Sequence, residues 1–443
     1  IFLNSKYKNL EAYVPGEQPR DMDYIKLNTN ESPYPPSKEV IDAVSSSEVE
    51  KLRLYSDPEC KFLREAIAEN YGVDTKNVFV SNGSDDILNF AFMAFSENGV
   101  IFPEITYGFY SVFSELHSVN YEEIALNDDF SVNPDDYISK GKMVVLANPN
   151  APTGISLPLC EIERIVKSNK GNLVLIDEAY VDFGGESAIE LSKKYDNLLV
   201  VHTFSKSRSL AGARLGFAIA NEEIIKDLEK IKYSTNPYSI NRLSLLAGEA
   251  AIKSDSYYKN NAKKIIKARE YTTAELKKLG FDVLPSCANF IFAKKDGVSG
   301  EEIYLKLKEK GILVRHFTKE KIKDKVTGDI KSKATDSLLE MLKKFLKYII
   351  AVAILCYLVF AFVIVPLQKD NDSCRGVAIQ ITNNRLGTIS NDDIVDMLKD
   401  GELYPEGENI DSISCSRIEE YIKTLSLIKE CQVYKTNGKK IRI

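Results

Sequence analysis

Over the first three quarters of the chain, short apolar runs alternate with stretches whose apolar residues recur every three or four positions. The runs at 78–81, 99–102, 143–147, 173–176, 198–203 and 215–220 are hydrophobic at successive positions, as in strands buried on both faces. Helical spacing falls between them, at 86–95, 159–168 and 186–194. Strands that alternate with helices predict an α/β fold with a mostly parallel sheet covered on both sides. A long polar helical pattern rich in Lys and Ala then runs over 240–279. Strand patterns at 281–284 and 290–293 and a helix at 300–310 follow it, which predicts a second, smaller α+β domain.

The pattern changes abruptly near Lys347. Residues 348–365 form an uninterrupted run of 18 without a charge, and Leu367 extends it past Pro366. This length predicts one transmembrane helix over 348–367. Lys343, Lys344 and Lys347 precede the run, and Asp370 and Asp372 follow it. That asymmetry puts the long N-terminal part in the cytoplasm and residues 374–443 outside. The tail itself reads as a small α/β module, with strands at 376–381 and 431–434 and helices at 390–399 and 416–425.

The 443 residues are too many for one ordinary domain, and 44% hydrophobic content is enough for a sizeable core. A net charge of −6 leaves no basic excess to neutralise phosphates, so nucleic acid is not an expected partner. The seven Cys include no CxxC spacing, so Cys60, Cys160 and Cys287 read as free thiols. The three His are too dispersed to suggest a metal site. Residues 1–20 are polar and mixed in charge, without the pattern of a secretory signal.

The candidate chemistry stands where predicted strands end, the place where open α/β sheets bind ligands. Lys206 lies in Thr203-Phe204-Ser205-Lys206-Ser207-Arg208, just before the turn Ala211-Gly212-Ala213-Arg214-Leu215-Gly216. A Lys so placed can form a Schiff base with an aldehyde cofactor, and Ser205 and Arg214 can hold a phosphate. Asp177 ends the run at 173–176; its carboxylate can pair with a protonated pyridine nitrogen or simply cap a helix. Tyr180, three residues on, can donate to a phenolic oxygen of such a ring. Asn148-Pro149-Asn150-Ala151-Pro152-Thr153-Gly154 follows the strand at 143–147 and is a loop by composition alone. Ser81-Asn82-Gly83-Ser84-Asp85-Asp86 joins a strand to a helix whose first N–H groups suit a phosphate, or a plain capped helix start.

Taken together, these motifs resemble those of the histidinol-phosphate aminotransferase family, which are fold-type I enzymes dependent on pyridoxal 5'-phosphate. The likeness begins near Leu27-Asn28-Thr29-Asn30-Glu31-Ser32-Pro33 and includes Arg53-Leu54-Tyr55-Ser56-Asp57-Pro58 and Ile105-Thr106-Tyr107-Gly108-Phe109-Tyr110. It stays clear through Gly311-Ile312-Leu313-Val314-Arg315, and Thr335-Asp336-Ser337-Leu338-Leu339-Glu340 is similar to the family's last helix. The resemblance implies that Lys206 is the Schiff-base Lys and proton shuttle, that Asp177 pairs with the ring nitrogen and that Tyr180 touches the ring oxygen. It puts Tyr107 against the ring and Ser84, Asp85, Ser205 and Arg214 around the phosphate. Tyr55 would reach over from the partner of a homodimer, Asn30 would close on the substrate, and Arg315 would hold a substrate anion. The substrates implied are L-histidinol phosphate and 2-oxoglutarate.

The chain departs from the family pattern twice. Ala151 stands directly before Pro-Thr-Gly, where the family often has an Asn on the ring oxygen, which leaves Asn150 as the neighbouring candidate. About ten residues after Arg315 the family has an Arg-bearing strand, and here Lys325-Val326-Thr327-Gly328-Asp329-Ile330 takes its place. Lys325 cannot form the bidentate fork with a carboxylate. Three other readings follow: a related pyridoxal-phosphate aminotransferase or phosphoamino-acid decarboxylase, an inactive cofactor-binding dimer, or a membrane-anchored interaction protein. The domain plan is an arm at 1–44, a large cofactor domain at 45–235, a small domain at 236–324, an altered end and junction at 325–347, the span at 348–367 and an outer module at 368–443. Cys374-Arg375-Gly376-Val377 and Val433-Tyr434-Lys435-Thr436-Asn437-Gly438 of that module resemble the start of a bitopic cell-division protein of the FtsQ/DivIB type.

Overall fold

A computed structural model describes residues 2–317 and 373–443, apart from 9, 12, 14–16, 20, 383–388, 427 and 437. The expected transmembrane run at 348–367, the altered strand at 325–330 and the family's last helix at 335–340 all lie outside the described residues. The chain divides into two compact units, Ile1–Ile330 and Lys331–Ile443.

The strands of the first unit are β1 (Ile25–Lys26), β2 (Val78–Ser81), β3 (Val100–Pro103), β4 (Tyr121–Ile124), β5 (Met143–Ala147), β6 (Val174–Asp177), β7 (Leu198–Thr203), β8 (Gly216–Ile219), β9 (Asp282–Val283), β10 (Ala293–Lys294) and β11 (Ile312–Leu313). Its helices are α1 (Lys38–Ala43), α2 (Ser46–Val49), α3 (Lys61–Tyr71), α4 (Ser84–Phe95), α5 (Phe109–His117), α6 (Leu159–Ser168), α7 (Ile189–Ser192), α8 (Glu222–Thr235), α9 (Arg242–Lys253), α10 (Asp255–Lys278) and α11 (Gly300–Glu309).

Among the described residues, seven strands form the central sheet in the order β2-β8-β7-β6-β5-β3-β4. Every neighbouring pair is parallel except the two made by β8. The apolar runs are continuous because each strand feeds two cores. In β7, Leu198 and Val200 pack with α3, α6 and α9, while Leu199 and Val201 pack with α4, α5 and α8. β8 runs antiparallel to β7, and the link between them, residues 204–215, holds one 3-10 segment and no α-helix to carry a crossover. A parallel return requires a crossover, usually a helix.

The edge strand β4 escaped the hydrophobic pattern: Tyr121-Glu122-Glu123-Ile124 is largely exposed. The helical pattern at 186–194 shortens to α7. There the Glu178 carboxylate accepts from the Ser187 hydroxyl and, at 2.6 Å, from the Ala188 N–H, which ties the segment's start to the end of β6. The single helix expected over 240–279 is two helices, α9 and α10, that break at Ser254. The Ser254 hydroxyl donates back to the Ala250 carbonyl at 2.9 Å, a bond that bends helices, and buried Arg208 holds Asp255 at 2.6 Å just beyond. β9 and β10 pair antiparallel, and β1 joins β11 in parallel, so the N-terminal segment is stitched to the end of the unit.

In the second unit, β12 (Val377–Ala378), β13 (Tyr434–Lys435) and β14 (Ile441–Arg442) form a sheet in the order β12-β14-β13. Helices α12 (Asn391–Asp400) and α13 (Cys415–Ile422) supply Ile394, Leu398, Ile418 and Ile422 to a small core with Val433 and Ile441. Ser390 and Asp393 close a capping box at the start of α12. The short β14 lies beyond the elements expected from the sequence.

Candidate functional site

The parallel strands set the site. β6 ends at Asp177 and β7 at Thr203, side by side, so Asp177, Tyr180, Ser205 and Lys206 all emerge at the same sheet edge. Lys206 is largely enclosed; its Nζ donates to the Thr29 carbonyl at 2.9 Å and lies 5.6 Å from the Tyr180 ring centroid. Loss of hydration pulls its amine down to about 8. The Tyr180 hydroxyl accepts from the Asn30 amide at 3.2 Å, and burial pushes the phenol up to about 12. Asn30 is itself held, since its carbonyl accepts from the Asn289 amide at 2.9 Å.

Asp177 is 5% exposed. Burial pushes its carboxyl up to about 6, against the opposing pull of the Tyr110 hydroxyl, which donates to Oδ2 at 2.9 Å. The Ala179 N–H reaches the other oxygen at 3.3 Å. A carboxylate so placed gains most from a cation, and a protonated ring nitrogen is such a cation.

The anion end of the site is built from β2, α4 and β8. Gly83 starts α4 at φ +87° without a side-chain cap, which leaves the first N–H groups of a 12-residue helix for an anion. Arg214 pairs with Asp85 at 3.1 Å, and the Tyr107 hydroxyl donates to the other Asp85 oxygen at 2.8 Å. β8 presses directly on this turn: a Cβ at Gly216 would stand 2.4 Å from the Ser84 nitrogen and 2.5 Å from the Gly83 carbonyl carbon. Neither backbone can yield cheaply. Gly216→Ala is therefore expected to lower stability by about 1–3 kcal/mol and to weaken cofactor retention, read by denaturant unfolding and by dialysis.

Of the other candidates, Ser84 is half-buried at this turn and Ser205 is buried beside Lys206. Asn150 is buried but spoken for: its amide donates to the Ile105 carbonyl at 3.0 Å and the Thr153 hydroxyl at 3.2 Å, and its oxygen accepts from Thr106 at 2.8 Å. It thus shapes the loop that carries Tyr107. Arg315 is exposed, with its guanidinium 5.7 Å from the Phe317 ring centroid. Tyr55 is 83% exposed and stacks on Tyr238 at 4.6 Å.

Two residues near the site had no role assigned from the sequence. Tyr110 carries the hydroxyl on Asp177; its signal was the spacing of three from Tyr107 at a helix start, which faces both the same way. Tyr13 stacks on Phe109 at 4.1 Å and lies 6.5 Å from Tyr107; nothing in its polar surroundings marked it.

The donor set fits the cofactor expected from the motifs: an enclosed amine of lowered proton affinity, a buried carboxylate with no ion pair among the described residues, and an arginine beside the first N–H groups of α4. Comparison with known proteins agrees. The family model "Aminotransferase class I and II" matches residues 22–342, and the "POTRA-like domain" model matches residues 372–443. The histidinol-phosphate aminotransferase of Brachyspira hyodysenteriae is 53% identical over 352 residues, covering 79% of this chain and 99% of that protein. That of Clostridium acetobutylicum is 49% identical over 318 residues, covering 71% of this chain and 90% of that protein. In fold, the chain is similar to the solved histidinol-phosphate aminotransferase of Clostridium acetobutylicum, with a TM-score of 0.61 and 24% identity over 66% of this chain and 88% of that one. It is equally similar to the Sinorhizobium meliloti enzyme solved with pyridoxal-5'-phosphate, with a TM-score of 0.61 and 24% identity over 66% and 83% of the two chains.

Proposed function

Because the chain belongs to the class I and II aminotransferase family, and within it to the histidinol-phosphate aminotransferases, we propose that Lys206, Asp177, Tyr180 and Arg214 run an amino transfer between L-histidinol phosphate and 2-oxoglutarate. The observation that carries this reading is the convergence of an enclosed amine and a buried, cation-seeking carboxylate at one sheet edge. Pyridoxal 5'-phosphate, when bound, supplies an electron sink for charge released at the substrate carbon.

Lys206 would hold the cofactor through its aldehyde, and its Nζ, when free, would carry the proton at the substrate carbon. Its lowered proton affinity keeps a useful fraction neutral near pH 8. Asp177 would keep the ring nitrogen protonated, and Tyr180, its hydroxyl held by the Asn30 amide, would donate to the ring oxygen. Tyr107 would lie against the ring. Arg214, the Ser84 and Ser205 hydroxyls and the first N–H groups of α4, Asp85 among them, take the phosphate. Tyr55 is presented to a second copy in a homodimer, in keeping with its exposure, and Arg315 meets a substrate anion. Asn150 serves the ring only through the loop it shapes.

The test is to supply purified protein and cofactor with L-histidinol phosphate and 2-oxoglutarate and to follow glutamate. Glutamate in step with loss of the donor supports the reading. Turnover confined to aromatic or phosphoamino acids would transfer the site to a related enzyme.

The rest of the chain carries a separate reading. Among the described residues no helix is long and apolar enough to cross a membrane, and the uncharged run at 348–365 lies outside them. That run and the lysines before it support a span at 348–367, a cytoplasmic catalytic part and an outer module at 368–443. The domain plan of 45–235 and 236–324 for the large and small domains goes with it. Full-length chain released from membranes by alkaline carbonate would overturn the anchor.

A further inference from the structure

The hydroxyl of Tyr110 has a partner that matters. Tyr110 has no exposed surface and sits in the first turn of α5. Its O–H donates to Asp177 Oδ2 at 2.9 Å, while the Ala179 N–H meets Oδ1 at 3.3 Å. Each oxygen of the carboxylate therefore has one donor, and the carboxylate plane is fixed from both sides. The tyrosine ring is fixed in turn. Tyr107 and Phe102 meet it edge-on, at 5.7 and 5.8 Å between centroids, and Phe92 stacks at 6.5 Å. Packing alone would accept a phenylalanine here. The hydroxyl adds one thing, a neutral donor to a carboxylate whose charge burial opposes.

The same segment holds a second acid. Tyr107 donates to Asp85 at the anion end, and Tyr110 donates to Asp177 at the ring-nitrogen end. One helix start thereby sets the spacing between the two ends of the site.

We propose that Tyr110 is a positioning residue for the transamination, its hydroxyl fixing the Asp177 carboxylate in the plane and the charge state that a protonated ring nitrogen requires. This rests on the reading given under Proposed function. Tyr110 touches neither substrate nor cofactor in this role; it acts through Asp177.

The test uses full-length Tyr110→Phe protein loaded with pyridoxal 5'-phosphate. Three quantities are read: kcat and KM against pH, the cofactor dissociation constant by absorbance, and the thermal midpoint. Loss of a hydrogen bond to a charged group predicts kcat lower on the order of tenfold, with KM nearly unchanged, and cofactor bound on the order of tenfold more weakly. Asp177 then takes up a proton more readily, so the acid limb of kcat moves to higher pH. A purely structural role would lower the thermal midpoint and leave that limb in place, and this outcome overturns the proposal.

Placing 3-fluorotyrosine at position 110 gives a stronger donor of nearly the same size. It predicts the opposite displacement of the acid limb, and it keeps the proposal open to refutation should the phenylalanine variant not fold. If the unaltered protein takes up no cofactor, the reading of the site falls and Tyr110 with it. If that protein loads and turns over while both variants match it, only the role of Tyr110 falls.

Discussion

Lys206→Ala protein, supplied with pyridoxal 5'-phosphate and both substrates, should lose amino transfer on the order of 10⁴-fold if, as proposed, one side chain provides both the covalent anchor and the proton carrier. Borohydride reduction should leave the variant unlabelled by cofactor and the unaltered chain labelled at Lys206. A variant that still trapped cofactor through another lysine would refute the assignment. The pH dependence has a definite sign. An amine attacks an aldehyde only when neutral, and enclosure pulls Lys206 from the ordinary 10.5 down to about 8. Cofactor capture by stripped protein should rise as pH passes through about 8 and level off above it. Stopped-flow absorbance checks this; a rate still climbing steeply beyond pH 10 would mean the amine is not desolvated as described.

Asp177→Asn should separate activity from stability. On the proposed assignment the substitution removes, in the loaded enzyme, the anion opposite the ring nitrogen; breaking a buried ion pair costs about 3–5 kcal/mol, so kcat should fall by roughly a thousandfold. In stripped protein the carboxylate is instead a burden. Its folded proton affinity, about 6, exceeds the usual 3.8. The native state therefore binds the proton more tightly than the unfolded chain, and stability is lost as pH rises from about 4 to about 6 and stays lost above. Stripped Asp177→Asn protein should be more stable than its parent at pH 7, by on the order of 1–3 kcal/mol, and near parity at pH 4. Added cofactor should reverse that order. Parallel urea titrations at both pH values decide the matter; a stripped variant less stable at pH 7 would refute the account.

Much of this site was legible because its chemistry sits at the ends of strongly apolar runs. Asp177 and Lys206 follow β6 and β7, whose uninterrupted hydrophobicity reflects burial on both sheet faces. What pattern alone could not give were features decided by contacts distant in sequence. β8 runs antiparallel across a link without an α-helix, and at the break between α9 and α10 Arg208 reaches Asp255 from 47 residues away. β4 is half glutamate and pairs along one edge only. Asn150 illustrates the limit for single residues: the motif marked it as a candidate ligand, and no pattern showed its hydrogen bonds to Ile105, Thr106 and Thr153. Tyr110 lay inside a recognised string, yet its role depended on a partner 67 residues downstream.

The pairing of β2 with β8 alone has a consequence for how the polypeptide is made. Ser81 leaves the ribosome 135 residues before Gly216, its partner in the sheet. At roughly 5–20 residues per second, the apolar Val78-Phe79-Val80 waits on the order of ten seconds with nothing to pair with. Throughout that interval the nascent chain offers a sticky edge to chaperones and to its neighbours on the same message. Slowing translation between β2 and β8 should therefore lower the yield of folded product before any effect on the finished enzyme is seen.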